Sequence, residues 1–192
     1  MPERATIDEA IAQVKAGVQP PLIAIDGLPC SGKSTAAKRL VQQLGLECVY
    51  LDEFVIPEQD WPSKDNPAFP FEYIRYNEFL DAIRALSSTG QCSYYPFDWT
   101  TYSISPNKRS VRVASPVIIE GVSSLNIHVC HLYGLKIFIE SDRKTTLEAA
   151  IRRGHGKWDK EWRELFMPSA DLYMRTDPER RADLIIPGRG MD

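Results

Sequence analysis

The sequence lacks the marks of a secreted, membrane-bound or nucleic-acid-binding protein. Its four cysteines, Cys30, Cys48, Cys92 and Cys130, are scattered without a C-x-x-C pair, which is typical of a reduced, cytoplasmic chain. No apolar run approaches transmembrane length and the N-terminus has no apolar signal core, so no membrane partner is expected. A net charge of −3 argues against a nucleic-acid partner that binds through surface charge.

The chain also lacks internal repeats and low-complexity segments. It is 43% hydrophobic and 26% charged, which is ordinary for a folded domain. Its 192 residues suit one α/β domain with a modest appendage. We therefore expect a single domain over residues 1–192, with an N-terminal helix within residues 1–19.

The most informative stretch is PPLIAIDGLPCSGKST, residues 20–35. The run Leu22–Ile25 has the length and β-branching of a buried strand. The next eight residues match G-x-x-x-x-G-K-[ST] at every fixed position. Ala36–Leu44 then reads as a helix, and Gly45 is placed to end it. A strand, this loop and a helix in succession predict a phosphate site and the P-loop NTPase fold.

Residue chemistry explains the spacing of this motif. Gly27 and Gly32 allow the loop to curl so that backbone N–H groups converge on a phosphate. The helix N-terminus adds further N–H groups and the positive end of its dipole. Lys33 can reach the β- and γ-phosphates, and the Ser34 hydroxyl can bind Mg²⁺. The residues predicted to bind the nucleotide are Gly27, Leu28, Pro29, Cys30, Ser31, Gly32, Lys33, Ser34 and Thr35.

Four more apolar runs read as strands, and helical segments alternate with them. They are residues 47–51, 116–121, 135–140 and 182–187. Strands that alternate with helices predict a doubly wound parallel sheet, here of five strands.

Two acids lie where strands of this sheet end. Asp52 directly follows the second strand and Glu120 lies at the end of the third, so both should lie at the carboxyl edge, where ligands of such sheets bind. Asp52 is a candidate general base for a substrate hydroxyl, and the alternative is a solvated or helix-capping residue. Glu120 can hold Mg²⁺ directly or through water.

Two further segments have the character of substrate-binding elements. Residues 55–70 form a proline-rich loop in which Asp65 could hold a sugar hydroxyl or simply be solvated. Residues 91–114 predict a β-hairpin flap. Its aromatic residues Phe97, Trp99 and Tyr102 could make a wall for a planar ring, or could be core and exposed rings.

Residues 152–160 predict a short lid between helical segments. Arg153 lies beside a glycine-hinged turn, where a cation could close over the phosphates and neutralise the transferred group. The alternative is a solvated basic helix end that the helix dipole favours.

Several motifs together resemble the uridine kinase and phosphoribulokinase group of P-loop kinases. They are IAIDGLPCSGKST, YLDEF, YYPFDW, VIIEGV, LKIFIESD and ADLIIPG, in the family's order from about Pro20 to Gly188. The resemblance implies that Asp52 is the base, Glu120 the acid beside Mg²⁺ and Arg153 a lid arginine. It also implies that Phe54 contacts substrate and that the nucleoside pocket includes Phe97, Asp98 and Trp99, with Tyr102 close to the nucleobase.

The sequence thus predicts an ATP- and Mg²⁺-dependent kinase that phosphorylates a hydroxyl of a small molecule. A nucleoside such as uridine or cytidine is the leading acceptor. Pantothenate, glycerate or a phosphosugar is the alternative, and a phosphosugar would need cations such as Lys108, Arg109 and Arg112. A nucleotide-dependent switch that signals to a partner protein is the hypothesis from a different class.

Overall fold

The computed structural model describes residues 1–191 and contains a six-stranded parallel sheet. The strand order is β1-β10-β9-β2-β8-β3, with every pairing parallel. The strands are β1 (Glu3–Arg4), β2 (Leu22–Gly27), β3 (Glu47–Tyr50), β8 (Val117–Glu120), β9 (Leu135–Glu140) and β10 (Leu184–Pro187). Strands β4 to β7 form the flap, apart from this sheet.

The central strands are buried on both faces, as their near-continuous apolar sequences predict. Every residue of β2 and of β8 is buried. One face carries a cluster of apolar side chains from α1 (Ile7–Ala16) and α2 (Lys33–Leu44), and the other carries a cluster from α3 (Tyr76–Thr89) and the flap. The parallel α/β fold is therefore confirmed. The sixth strand, β1, has only two residues, both exposed, and so carries no strand pattern in the sequence.

The helices after β9 form a nearly continuous segment. It comprises α4 (Arg143–Gly154), α5 (Asp159–Glu161), a π-helical turn (Trp162–Phe166) and α6 (Met167–Met174). The turn between α4 and α5 has positive φ at His155, Gly156 and Trp158. None of the helices in residues 1–191 is both long and apolar enough to cross a membrane.

The flap consists of two short antiparallel ladders. Strand β4 (Gln91–Tyr94) pairs with β7 (Arg109–Arg112), and β5 (Phe97–Asp98) pairs with β6 (Ser103–Ile104). Arg109 of β7 forms an ion pair with Glu53 and donates a 2.6 Å hydrogen bond to the Cys48 carbonyl. The Tyr94 hydroxyl donates to the same Glu53 carboxylate at 2.6 Å. These contacts fasten the flap to the segment that follows β3.

Asp26, at the end of β2, organises the base of the phosphate loop although it is fully buried. Its carboxyl accepts hydrogen bonds from the backbone N–H groups of Gly27, Ser123 and Leu125, at 2.6, 3.0 and 2.7 Å. The Tyr173 hydroxyl on α6 donates a fourth, at 2.5 Å. Burial raises the pKa of Asp26, and the four donors oppose that rise.

Replacing Tyr173 with Phe is expected to lower the free energy of unfolding by about 1.5–3 kcal/mol, because a buried carboxyl loses a donor. Tyr133→Phe is the matched control, because the Tyr133 hydroxyl is buried but finds no hydrogen-bond partner within the described residues. Urea denaturation of both variants measures the difference. Equal losses in the two variants would mean that the Tyr173 hydroxyl contributes no more than ring packing does.

Candidate active site

A cavity of about 800 Å³ lies at the carboxyl edge of the sheet. The phosphate loop forms one side, and the turn after β3 and the end of β8 form the floor. The loop of residues 55–70, the flap and the segment from the end of α4 to the π-helical turn enclose the other side. The cavity therefore lies at the edge where ligands of doubly wound sheets bind.

The phosphate loop adopts a curled backbone between β2 and α2. Gly27, Cys30 and Gly32 all have positive φ, at 142°, 58° and 117°. At Gly27 a side chain is excluded by packing as well, since a Cβ would lie 2.5 Å from the Ile139 carbonyl oxygen. No side chain caps the start of α2, so the amides of its first turn remain available to an anion.

Six of the nine predicted nucleotide-binding residues line the cavity. They are Pro29, Cys30, Gly32, Lys33, Ser34 and Thr35. Gly27 and Ser31 are buried, and Leu28 packs against Met167 and Ala170 of α6. Arg189, which the sequence did not single out, also lines the cavity and donates to the Cys30 carbonyl at 3.0 Å.

Lys33, Ser34 and Glu120 meet at one end of the cavity. Lys33 is buried, and its Nζ donates a 2.7 Å hydrogen bond to the Leu28 carbonyl, so the ammonium group is held inside the loop. The Ser34 hydroxyl donates to Glu120 Oε1 at 3.3 Å. Glu120 and Ser34 thus offer two neighbouring oxygen ligands, which fit Mg²⁺.

Burial raises the pKa of the Glu120 carboxyl to about 7, against an ordinary value of 4.5. The charge of Lys33 lowers that pKa and the charge of Asp52 raises it. Lys33, Asp52 and Glu120 are therefore close enough for their charges to interact.

In the absence of metal and nucleotide, the raised pKa predicts that Glu120 makes the fold less stable as pH rises. The group favours the folded state fully below about pH 4.5, and this advantage is lost as pH increases to about 7. Glu120→Gln removes the ionisation. As pH rises from 4.5 to 8, the free energy of unfolding of the variant should therefore increase by about 3 kcal/mol relative to that of wild type. Urea denaturation in EDTA measures the difference, and a pH-independent difference would contradict the assignment.

Asp52 is the second residue of a short 3₁₀ turn, Leu51–Phe54, directly after β3, and its exposed side chain lines the cavity. Tyr73 lines the same region. Burial, and secondarily the negative charge of Asp52, raise the pKa of the Tyr73 hydroxyl well above its usual range. Asp52 therefore faces the cavity close to the Lys33, Ser34 and Glu120 group, as its position after β3 predicts.

The structure separates the other predicted site residues into two sets. Trp99 and Arg153 line the cavity. Phe54 is fully buried, 5.4 Å from the Phe79 ring and 4.5 Å from the Tyr94 ring, and Phe97 is also buried. These two phenylalanines therefore belong to the core and are not part of the cavity lining.

Three more predicted substrate residues also lie outside the cavity lining. The Asp98 carboxylate accepts a 2.8 Å hydrogen bond from the Thr100 backbone N–H, an Asx turn within the flap. Asp65 is exposed on the loop of residues 55–70. Tyr102 is 44% exposed and packs under Lys157, whose Nζ lies 3.7 Å from the ring centroid.

The largest feature that sequence reasoning missed is aromatic. The chain has four tryptophans, Trp61, Trp99, Trp158 and Trp162, and all four line this one cavity. We call them the tryptophan wall. Ring centroids lie 5.4 Å apart for Trp61 and Trp158 and 6.2 Å apart for Trp99 and Trp158. The available signal was the position of Trp61, Trp99 and Trp158 in the predicted loop, flap and lid; Trp162 follows the lid directly.

The sequence comparison found kinases among the relatives, although no family model matches the chain. Uridine kinase of Mycoplasma genitalium is 27% identical over 188 residues, which cover 86% of this chain and 84% of that protein. This similarity supports phosphotransferase activity for this chain.

Comparison of folds finds solved structures with the same architecture. The solved structure of a possible uridine kinase from Bacillus stearothermophilus has a TM-score of 0.70 and 20% identity, covering 94% of this chain and 96% of that one. Phosphoribulokinase from Rhodobacter spheroides has a TM-score of 0.60 and 15% identity, covering 87% and 69%. The fold is that of the P-loop kinases.

Within that class, sequence and fold together are similar to the uridine kinase and phosphoribulokinase group. The resemblance predicted from the motifs is therefore confirmed.

Proposed function

We propose that the protein transfers the γ-phosphoryl group of ATP, with Mg²⁺, to a hydroxyl of a small molecule, and that a nucleoside is the leading acceptor. One observation carries the proposal: Asp52, Lys33, Ser34 and Glu120 all face one cavity at the carboxyl edge of the sheet. A carboxylate base and a phosphate cradle on either side of one space are what in-line transfer to an alcohol requires.

Each group has a distinct task in this mechanism. Bound Mg·ATP would supply the phosphoryl group and neutralise part of its charge. Ser34 and Glu120 are the residues that would hold the metal ion. Asp52 orients the acceptor hydroxyl and takes its proton, while Lys33 and Arg153 stabilise the charge that spreads over the transferred group.

The cavity walls favour a nucleoside over a phosphosugar. A planar ring fits against the tryptophan wall, whereas none of the cations considered for a sugar phosphate lines the cavity. Lys108 lies over the Tyr95 ring at 5.2 Å, and Arg109 is engaged by Glu53 and the Cys48 carbonyl. Arg112 is exposed on β7.

The proposal is tested by measuring ADP release with Mg·ATP and a panel of acceptors: uridine, cytidine, other nucleosides, pantothenate, glycerate and pentose phosphates. We expect a pyrimidine nucleoside to accelerate ADP formation. If ATP binds but no member of the panel stimulates turnover, the nucleoside assignment fails. A partner protein that stimulates ATP hydrolysis instead would favour the nucleotide switch.

A further inference from the structure

The segment that follows β10 is hydrogen-bonded to the phosphate loop. We call residues 188–190 the strap. The Arg189 backbone N–H donates to the Ser31 carbonyl at 2.9 Å, and the Arg189 Nε donates to the Cys30 carbonyl at 3.0 Å. Two consecutive carbonyls of the loop therefore accept hydrogen bonds from one residue, which lies 159 positions beyond Cys30 in the chain.

The strap is held in place on its other side as well. At Gly188 a Cβ would lie 2.5 Å from the Ser31 carbonyl oxygen, so only glycine allows the strap to lie this close to the loop. The Gly188 N–H donates to the Glu140 carbonyl at 2.7 Å, and the Asp142 N–H donates to the Arg189 carbonyl at 3.0 Å. Because β9 and the start of α4 fix the backbone of the strap, Arg189 is a firm support for the loop.

The bonds from Arg189 set the direction of groups inside the loop. A peptide unit is planar and trans, so a carbonyl held on one side turns the next N–H to the opposite side. The held Ser31 carbonyl therefore directs the Gly32 N–H away from the strap. In the same way the held Cys30 carbonyl fixes the Ser31 N–H, which donates to the Leu28 carbonyl at 3.2 Å. That Leu28 carbonyl also accepts the 2.7 Å hydrogen bond from Lys33 Nζ.

The backbone of Cys30 makes such support necessary. Its φ of 58° lies in the left-handed region, which a residue with a side chain adopts only at an energetic cost. A loop without an outside partner would relax from this conformation when no anion is bound. The side chain of Arg189 provides that partner at the strained residue itself.

We propose that Arg189 is a positioning residue of the donor site, and that its side chain keeps the phosphate loop in its phosphate-binding conformation before the nucleotide arrives. This inference rests on the proposed function and adds to it a residue from outside the loop motif. Donors that are already in place need no rearrangement when the anion binds, which raises affinity. Because Arg189 also lines the cavity, a direct contact between its guanidinium and the nucleotide is the competing role.

The test measures two properties of Arg189→Ala. Its affinity for Mg·ATP, by titration calorimetry, should be about tenfold weaker than that of wild type. In the nucleotide-free protein, amide hydrogen exchange across residues 28–34 should be faster, because the loop has lost its outside support. Weaker affinity with unchanged exchange would mean that Arg189 contacts the nucleotide directly, and would overturn the inference. Unchanged affinity would overturn it too.

Arg189→Gln separates the hydrogen bond from the charge. The Gln side chain carries an N–H donor at the same place along the chain as Arg Nε, but it has no charge. It should keep slow exchange in the loop and an affinity within about threefold of wild type. Equal losses in the Gln and Ala variants would show that the charge acts, and would contradict positioning through the Cys30 carbonyl.

Arg180→Ala is the matched control for an arginine from the same part of the chain. Arg180 lies in the 3₁₀ turn Pro178–Arg181, is exposed and is not part of the cavity lining. Both exchange and affinity should equal those of wild type. If wild type bound Mg·ATP and no Arg189 variant differed from it, this inference alone would fail. If wild type did not bind Mg·ATP, the proposed function would fail and this inference with it.

Discussion

Asp52→Asn is expected to lower kcat for phosphoryl transfer by about 100- to 10,000-fold, because the acceptor hydroxyl loses the base that takes its proton. The substitution preserves size and the exposed position in the turn after β3, so ATP binding should remain. The measurement is steady-state ADP release with the best acceptor, alongside nucleotide affinity by titration.

Asp65→Asn provides the matched control, because Asp65 is an exposed acid on a neighbouring loop outside the cavity lining. Its kcat should equal that of wild type. If Asp52→Asn kept full kcat, Asp52 would be a solvated residue and another group would have to serve as base.

Lys33→Ala should reduce kcat by about 100- to 1,000-fold, because a preorganised cation inside the phosphate loop is removed from the developing charge. The effect should be large because the Lys33 ammonium is already held at the Leu28 carbonyl, so it needs little movement to reach the phosphates. Nucleotide affinity should fall as well, because the same cation attracts the phosphates of the ground state.

Lys38→Ala is the control for charge on the same helix. Lys38 lies on α2 one turn further on and is exposed. It should leave kcat and nucleotide affinity unchanged, and comparable losses in both variants would point to a general effect of net charge.

Local patterns were enough to predict the phosphate loop, the central strands and the acids at their carboxyl ends. Glycines at fixed spacing, a buried apolar run and a strand end each constrain the backbone over a few residues. Asp52, Lys33, Ser34 and Glu120 therefore come together at the edge of the sheet where they were predicted to lie.

The side chains at the substrate end could not be predicted in the same way. Phe54 and Trp61 both follow β3, yet one is in the core and the other lines the cavity. What separates them is packing against distant partners: Phe54 meets Phe79 and Tyr94, while Trp61 meets the π-helical turn. Such contacts depend on how loops fold over the sheet, and the hydrophobic periodicity of the sequence does not predict them.

Helix α3 illustrates the same limit. The apolar residues from Phe71 onwards predict a helix over residues 71–88, but in the structure the helix spans Tyr76–Thr89. Phe71 instead packs in the core, and Ile74 pairs with Val55 through an isolated β-bridge. Tertiary contacts thus override a local helical pattern at the point where Tyr73 is delivered to the cavity.

The contact between Arg109 and Glu53 bears on how acceptor preference could be engineered or could diverge. Glu53 adjoins the candidate base, and Arg109 and Tyr94 of the flap both hold its carboxylate. The flap is therefore not a cassette that can be transplanted from another kinase by itself. A chimaera would need the donor's residues after β3 as well, or the graft would leave a half-buried charge unpaired next to the reacting hydroxyl.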